Sequence, residues 1–253
     1  MKAKEIASII EQFAPLQTQE EWDNAGFCIG SPDEEIKGVL IGLDCTPELI
    51  KEAVDSGDNM IVTHHPLIFD GIKKIDPNTF LGEAIYLAIK HNIVVYSAHT
   101  NADKASGGVN TLMTEKLNLQ NVENLDSSGL CRVGYLPQAM TADEFRTFVI
   151  NRFSLKAVKT SKPVNKLITK VATCCGSGSS FIETARLSGA DVYITADISY
   201  HHFFCENDFM VMDIGHYESE IDIVNRLLSV LTKKIHTFAV RATRNNNNPI
   251  YYY

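Results

Sequence analysis

Residues 38–66 read GVLIGLDCTPELIKEAVDSGDNMIVTHHP. The opening GVLIGLD (38–44) is an apolar run too short for a helix, and its β-branched content reads as a buried strand. Thr46-Pro47 then opens a helix, with threonine as N-cap and proline at the first helical position, and Gly57 fits its end. MIVTHHP (60–66) is a second buried strand. Further along, Thr79 caps a helix through about Lys90, and IVVYSAH (93–99) is a third strand. Strand, helix, strand, helix, strand argues for an α/β fold with a mainly parallel sheet covered on both faces. Upstream, Ile6, Ile9, Ile10 and Phe13 recur at helical spacing, an amphipathic opening helix stopped by Pro15.

Downstream the pattern is less regular. RVGYLP (132–137) reads as a short edge strand closed by Pro137. Thr141 and Glu144 form a capping box in front of the apolar positions Phe145, Phe148 and Val149. LITKVATCCGSGSS (167–180) reads as strand, glycine-rich turn and helix start. DVYITAD (191–197) and FMVMDIGH (209–216) are further strands, a helix runs from about Glu218 to Leu231, and a last strand covers roughly Ile235–Val240. The tail RNNNNPIYYY has no periodicity, and its structure stays open. Patterning is weakest at Glu123–Leu130, which divides the chain into two αβ halves, 1–126 and 127–253.

The chain has 253 residues, of which 45% are hydrophobic and 21% charged, an ordinary globular composition able to bury a core without staples. With a formal charge of -8 and no Lys/Arg block, nucleic acid and membrane surfaces are poor partners. The six cysteines show no CxxC pair or secreted spacing, which fits a reduced setting. Charged Lys4, Glu5 and Glu11 interrupt any signal-peptide core, and no run of about 18 apolar residues exists. The expectation is a soluble, cytoplasmic protein.

The histidines cluster at strand ends. His64 and His65 end the second strand; His99 ends the third, with Asp103 four residues on; His216 ends a strand of the second half, with Glu220 four residues on. Ligands in open α/β sheets gather beyond the carboxyl ends of strands. Neutral imidazole and carboxylate are the donors that borderline divalent ions such as Zn, Fe, Mn or Co accept. Adjacent His64 and His65 on extended backbone point apart, so a pair of ions uses them better than one. A bridging carboxylate, Glu220 or Asp103, would hold such a pair. A lone strand-end histidine is usually a satisfied polar residue, but three strand ends each deliver one here, and two add a carboxylate at a fixed offset. A metal-free His/Asp acid–base site is the competing reading, in which so many groups would be redundant.

VTHHPLIF, SAHTNAD and GHYESE, with EEWDNAGF near the start, resemble the NIF-three-like family, including its YbgI-type members and those named GTP cyclohydrolase I type 2 homologue. The resemblance covers essentially the whole chain, in the short form without an inserted domain. It implies two divalent metal ions per subunit (Zn, Fe or Mn), with the site at the junction of the halves. His64, His65, Asp103, His216 and Glu220 match the ligand positions, Glu220 bridging. His99 matches a nearby site position rather than a ligand. ADISYHH (196–202) matches a segment usually written with glycine before the aspartate, where this chain has Ala196; His201 is the better match for the family's histidine, with His202 beside it. The resemblance also implies a toroidal homohexamer with its sites facing an inner cavity.

The leading expectation is a dinuclear metal-dependent hydrolase acting on a nucleotide-like small molecule, with a metal-activated bridging water and His99 or His201 as proton shuttle. The family name suggests GTP and hydrolytic opening of its purine ring; a phosphoester suits two metals equally well. The alternative is a non-catalytic metal-binding assembly, scaffold or delivery protein. A nucleotide-binding module using the GSGSS turn ranks last. That turn lacks the lysine of a P-loop and reads better as structural. Cys174 and Cys175 read as buried small hydrophobes, His91 and His236 as structural or exposed, and Glu34-Glu35 as a solvated face. Asp44 is either an orienting partner for a ligand histidine or a cap for the turn into the Thr46 helix, and the cap is favoured. Trp22 and Asp23 either line the cavity or anchor a core edge, the commoner fate of a tryptophan.

Overall fold

Thr46 acts as its position predicts: its side chain accepts from the Leu49 amide, Pro47 follows, and Gly57 ends the helix in the left-handed conformation at φ 74°. The same logic holds at Thr79, which accepts from Gly82, and at Thr141 with its capping box to Glu144. The computed structural model describes residues 1–245 and 248–253; Asn246 and Asn247 of the Asn-rich tail lie outside the described residues.

The elements in chain order are α1 (Ala3–Phe13), β1 (Gly26–Ile29), β2 (Gly38–Gly42), α2 (Pro47–Ser56), β3 (Met60–Thr63), α3 (Phe80–Lys90) and β4 (Val94–Ser97). Then come α4 (Thr100–Lys104), α5 (Val109–Lys116), β5 (Gln120–Asn124), β6 (Cys131–Met140), α6 (Ala142–Phe153) and β7 (Lys159–Thr160). The rest are β8 (Ile168–Ser177), α7 (Ile182–Leu187), β9 (Val192–Ala196), β10 (Met210–Asp213), α8 (His216–Glu220), α9 (Asp222–Thr232) and β11 (Ala239–Ala242).

The chain forms two compact units. The first holds Met1–Gly108 and Ile223–Pro249; the second holds Val109–Asp222 and Ile250–Tyr253. This differs from a division at 126/127. The reason is β11, which returns late in the chain to pair with β2 in parallel. The first sheet has the order β1-β4-β3-β2-β11, parallel except for β1, which runs antiparallel to β4. Leu40, Ile61 and Val95 on one face pack with Leu49, Ile50 and Ala53 of α2 and with Ala84 and Ala88 of α3. On the other face, Tyr96 is fully buried and its hydroxyl donates to Glu11 of α1 at 2.9 Å.

The second sheet has the order β5-β6-β8-β9-β10-β7. Its centre, β8-β9-β10, is parallel, while β5, β6 and β7 add antiparallel pairings. The fold is therefore α/β with mixed sheets. Residues 132–137 are not an edge: β6 is paired on both sides, to β5 and β8. Pro137 is tolerated there because the register with β8 shifts between Tyr135 and Met140. The expected single helix from Glu218 is two, α8 and α9, parted at Ile221, and the chain passes to the first unit between Asp222 and Ile223. The last strand starts later than expected, at Ala239. No described helix is long and apolar enough to cross a membrane. All six cysteines are free thiols, and Cys174 and Cys175 are buried as expected.

One charge pair fastens β11 to its unit. Asp58, 3% exposed, accepts from the Arg241 guanidinium with one oxygen at 2.6 Å. Gly38 leaves the room: a Cβ there would lie 1.9 Å from the Asp58 carboxylate. Replacing Arg241 by Ala strips the counter-charge from a buried carboxylate and should lower stability by about 2 kcal/mol. A lower urea midpoint with an unchanged slope is the expected result, and adding Asp58→Asn should recover part of it; no shift in Arg241→Ala would remove the pair from the stability of the first unit.

Candidate metal centre

In the first unit the site grows from the ends of β3 and β4. In β3 (MIVT) and β4 (VVYS) the interior residues are apolar, and polar side chains appear where each strand stops. His64 follows Thr63 directly and is fully buried. Its Nδ1–H donates to the Ala98 carbonyl at 2.8 Å, which fixes the tautomer and leaves Nε2 as the lone-pair nitrogen. That Nε2 stands 3.4 Å from Oδ1 of buried Asp103, on the short helix α4. His65 turns the other way, and its Nδ1–H donates to Asp44 Oδ1 at 2.7 Å. Asp44 lies just beyond β2, so a third strand end joins the cluster. Thr46 itself caps α2, and the Asp44 side chain serves His65, the reverse of the sequence preference.

His99 precedes α4, and its Nδ1–H donates to Asp23 Oδ1 at 2.7 Å. The other oxygen of Asp23 accepts from the Thr100 amide at 3.0 Å and from its hydroxyl at 2.5 Å. Burial alone would raise the Asp23 carboxyl, but the hydrogen bonds from His99 and Thr100 outweigh it and hold it at about 2. Asp23 is thus a fixed anion behind His99. The three rings face one another, with centroids 4.9 Å apart for His64 and His65, 5.3 Å for His64 and His99, and 5.6 Å for His65 and His99. One ring nitrogen from each can be chosen so that all three lie within 4.8 Å of one another. His99 is expected beside the ligand positions rather than among them, and its ring does stand against those of His64 and His65.

In the second unit, His216 opens α8 directly after the β10 end. Its Nδ1–H donates to Asp197 Oδ2 at 2.7 Å, and Nε2 stands 3.1 Å from Glu220 Oε2, one helical turn on. Glu220 is 3% exposed. Burial would lower the His216 imidazolium, but hydrogen bonds to Asp197 and Glu220 outweigh it and lift it to about 10. Asp197 is held low in turn, chiefly by its hydrogen bond to His216. It sits in the left-handed region at φ 54°, beyond the end of β9. Nothing in the sequence marked Asp197 as a partner; the signal available was its place at a strand end, four residues before His201.

Gly176 supplies the hollow for this pair. Its φ is +54°, and a Cβ there would lie 2.3 Å from Glu220 Oε1 and 3.1 Å from His216 Nε2. The GSGSS turn is otherwise tied down: the Gly176 amide donates to Ser219 Oγ and the Gly178 amide to Thr195 Oγ1, at 3.0 and 2.9 Å. Those two amides are therefore engaged within the protein. His201 lies on an exposed turn, Tyr200–Phe203, with its ring against Tyr200 and Phe204; His202 Nδ1 bonds Ser199 Oγ at 3.2 Å.

The donor set fits a divalent ion of the borderline class. Buried His64 and Asp103 and the half-buried His65 and His99 converge in the first unit, and His64, His65, His99 and His216 are each braced at Nδ1 by a carbonyl or carboxylate.

A family model described as Duf34/NIF3 (NGG1p interacting factor 3) matches residues 1–249. A Clostridium acetobutylicum protein named GTP cyclohydrolase 1 type 2 homolog is 34% identical, with 98% of each chain covered. A solved Staphylococcus aureus hypothetical protein superposes with a TM-score of 0.90 at 27% identity, covering 100% of this chain and 99% of that one. Reduced HcgD from Methanocaldococcus jannaschii gives a TM-score of 0.83 at 31% identity, covering 95% and 97%.

Two predictions follow from the second unit. His216 is raised above its unfolded value of 6.5, so the metal-free chain draws stability from its protonation that is fully present below pH 6.5 and lost as pH rises through about 10. Asp197→Asn should flatten that loss in denaturant midpoints measured from pH 6 to 10; an unchanged profile would dissociate Asp197 from the titration. Gly176→Ala should keep the fold but weaken metal binding about tenfold or more by pushing on Glu220, as read by competition with a chromophoric chelator.

Proposed function

The chain belongs to the Duf34/NIF3 family, and from that premise we propose that it is a dinuclear metal-dependent hydrolase acting on a nucleotide-like small molecule. GTP is the first candidate, by hydrolytic opening of its purine ring, since the relatives in Clostridium acetobutylicum and Clostridium perfringens carry the name GTP cyclohydrolase 1 type 2 homolog. The observation that carries the reading is the bracing of His64, His65, His99 and His216 at Nδ1 by Ala98, Asp44, Asp23 and Asp197. Histidines that only fill a core do not need their tautomers fixed one by one; ligands and bases do.

In this reading His64, His65 and Asp103 of the first unit and His216 and Glu220 of the second hold two divalent ions, Zn, Fe or Mn. When bound, such a pair supplies Lewis-acid activation of water and of a substrate oxygen. The remaining work falls to the chain. His99, backed by the Asp23 carboxylate, takes a proton at Nε2 and returns it to the leaving nitrogen. Asp23 stays ionised throughout, because His99 and Thr100 hold it at about 2. His201 is the second proton carrier of the proposal; its exposed position suits exchange with solvent. A cytoplasmic homo-oligomer, hexameric by family resemblance, completes the reading.

The family description names an interaction partner rather than a reaction, and this favours one second reading, a non-catalytic metal-holding scaffold or delivery protein. One experiment separates the two. Metal content by plasma mass spectrometry on untagged protein should give about two equivalents per chain, and His64→Ala and Glu220→Ala should each lose metal and GTP turnover together. His99→Ala should keep metal and lose turnover by about a hundredfold or more. Turnover in a demonstrably metal-free variant would defeat the hydrolase reading. Full metal with no turnover, and ready release to an apo acceptor, would favour the delivery protein.

A further inference from the structure

Trp22, the chain's single tryptophan, is 58% exposed on the loop before β1, and Phe69, 47% exposed, stands on the loop after β3. Their rings meet edge to face, centroids 5.9 Å apart at 63°. The His99 ring stands edge-on to both, 6.4 Å from Trp22 and 6.0 Å from Phe69. The two loops are clasped: the Asn24 side-chain amide donates to the Ile68 carbonyl at 2.7 Å. Asp23, next to Trp22, is anchored by His99 and Thr100. The sequence allowed either a cavity-lining tryptophan or a core anchor; an indole this exposed is no core anchor.

Two large aromatic side chains left about half exposed to water are unfavourable unless something covers them. Here they are held in place by polar bonds behind them rather than by a core beneath them. We propose that Trp22 and Phe69 form a stacking platform for the planar heteroaromatic ring of the substrate, seating it beside His99. The inference rests on the hydrolase reading and narrows its substrate class to compounds with a purine-sized base, against aliphatic phosphoesters. The pair is far smaller than the 20–30 residues a side that a stable protein interface takes, so a small ligand fits it better than a macromolecule. Stacking tolerates any planar base, so the platform supplies affinity and position, while the groups around His99 choose the bond.

The sole tryptophan makes the test direct. Emission of the full chain, excited at the red edge of indole absorption, is titrated with guanosine, GTP, ribose 5-phosphate and inorganic phosphate, with and without chelator. Guanosine and GTP should quench Trp22 in both states; ribose 5-phosphate and phosphate should not. Phe69→Ala keeps the fluorophore and should weaken guanosine about tenfold. By calorimetry, Trp22→Ala should lose about tenfold or more, and Trp22→Phe should retain most of the affinity. Equal responses to ribose 5-phosphate, or unchanged guanosine affinity in both alanine variants, would overturn the platform. So would an indole shielded from acrylamide in the free protein, which would assign the pair to a contact with a second copy. Quenching without turnover would keep the platform and defeat the hydrolase; turnover of an aliphatic phosphoester at full rate in Trp22→Ala would do the opposite.

Discussion

The Nδ1–H of His64 donates to the Ala98 carbonyl at 2.8 Å, and the same bond recurs at His65, His99 and His216 with Asp44, Asp23 and Asp197 as acceptors, each at 2.7 Å. An acceptor with no proton of its own forces the ring to carry its hydrogen on Nδ1. It also fixes the ring plane. A neutral imidazole then has one orientation and keeps its lone pair on Nε2, which on His64 faces Asp103 at 3.4 Å. Three such acceptors serve the cluster of the first unit, and one serves His216 in the second. Asp44 lies past the end of β2, Ala98 past the end of β4 and Asp197 past the end of β9, so three strand ends supply acceptors. Asp23 is the exception: it is brought in by a loop, which α4 and Thr100 hold.

The cost of this arrangement is carried by backbone and by small residues. Asp197 accepts a left-handed conformation, and Gly176 leaves out the side chain that would strike Glu220. Buried Asp213 ties the surrounding loop by accepting from the amides of Ile198 and Gly215, at 3.2 and 3.1 Å, with Lys159 as its counter-charge at 2.6 Å. Two neighbours of the site are therefore set by a carboxylate that never touches it. A buried charge that is fully hydrogen-bonded is a rigid joint, whereas one left half-satisfied would be a weak one.

Much of this was legible in the sequence, and what was missed has physical reasons. The central strands announced themselves because both faces are buried and the runs are continuously apolar; the helix starts did so through Thr46, Thr79 and Thr141. Strands β1, β5 and β7 went unseen: β5 is exposed along its length and β7 has two residues, so neither carries a hydrophobic signature. The short helices α4 and α5 went unseen as well. The compact units differ from a division at 126/127 in that β11 joins the first, pairing with a strand some two hundred residues earlier, a partnership that local patterning cannot register. Within the site, histidines and their carboxylates at offset four were readable, since spacing on a helix is local. Asp23 and Asp197 were not read as bracing groups, because they reach their histidines across 76 and 19 residues of sequence. Asp44 alone offers itself for that role by local position, and its place two residues before Thr46 favours the cap instead.

The placement of β11 also dictates an order of events during synthesis. The second unit is nearly contiguous, Val109–Asp222, and its sheet is complete once β10 has been made. The first unit begins earlier yet waits for Ala239–Ala242 before β2 gains its outer neighbour. Until then β2, apolar and destined for full burial, presents an open edge, the kind of surface on which nascent chains associate wrongly. The half of the protein that leaves the ribosome first is thus the half that finishes last, and its most vulnerable interval lasts as long as the translation of the other unit.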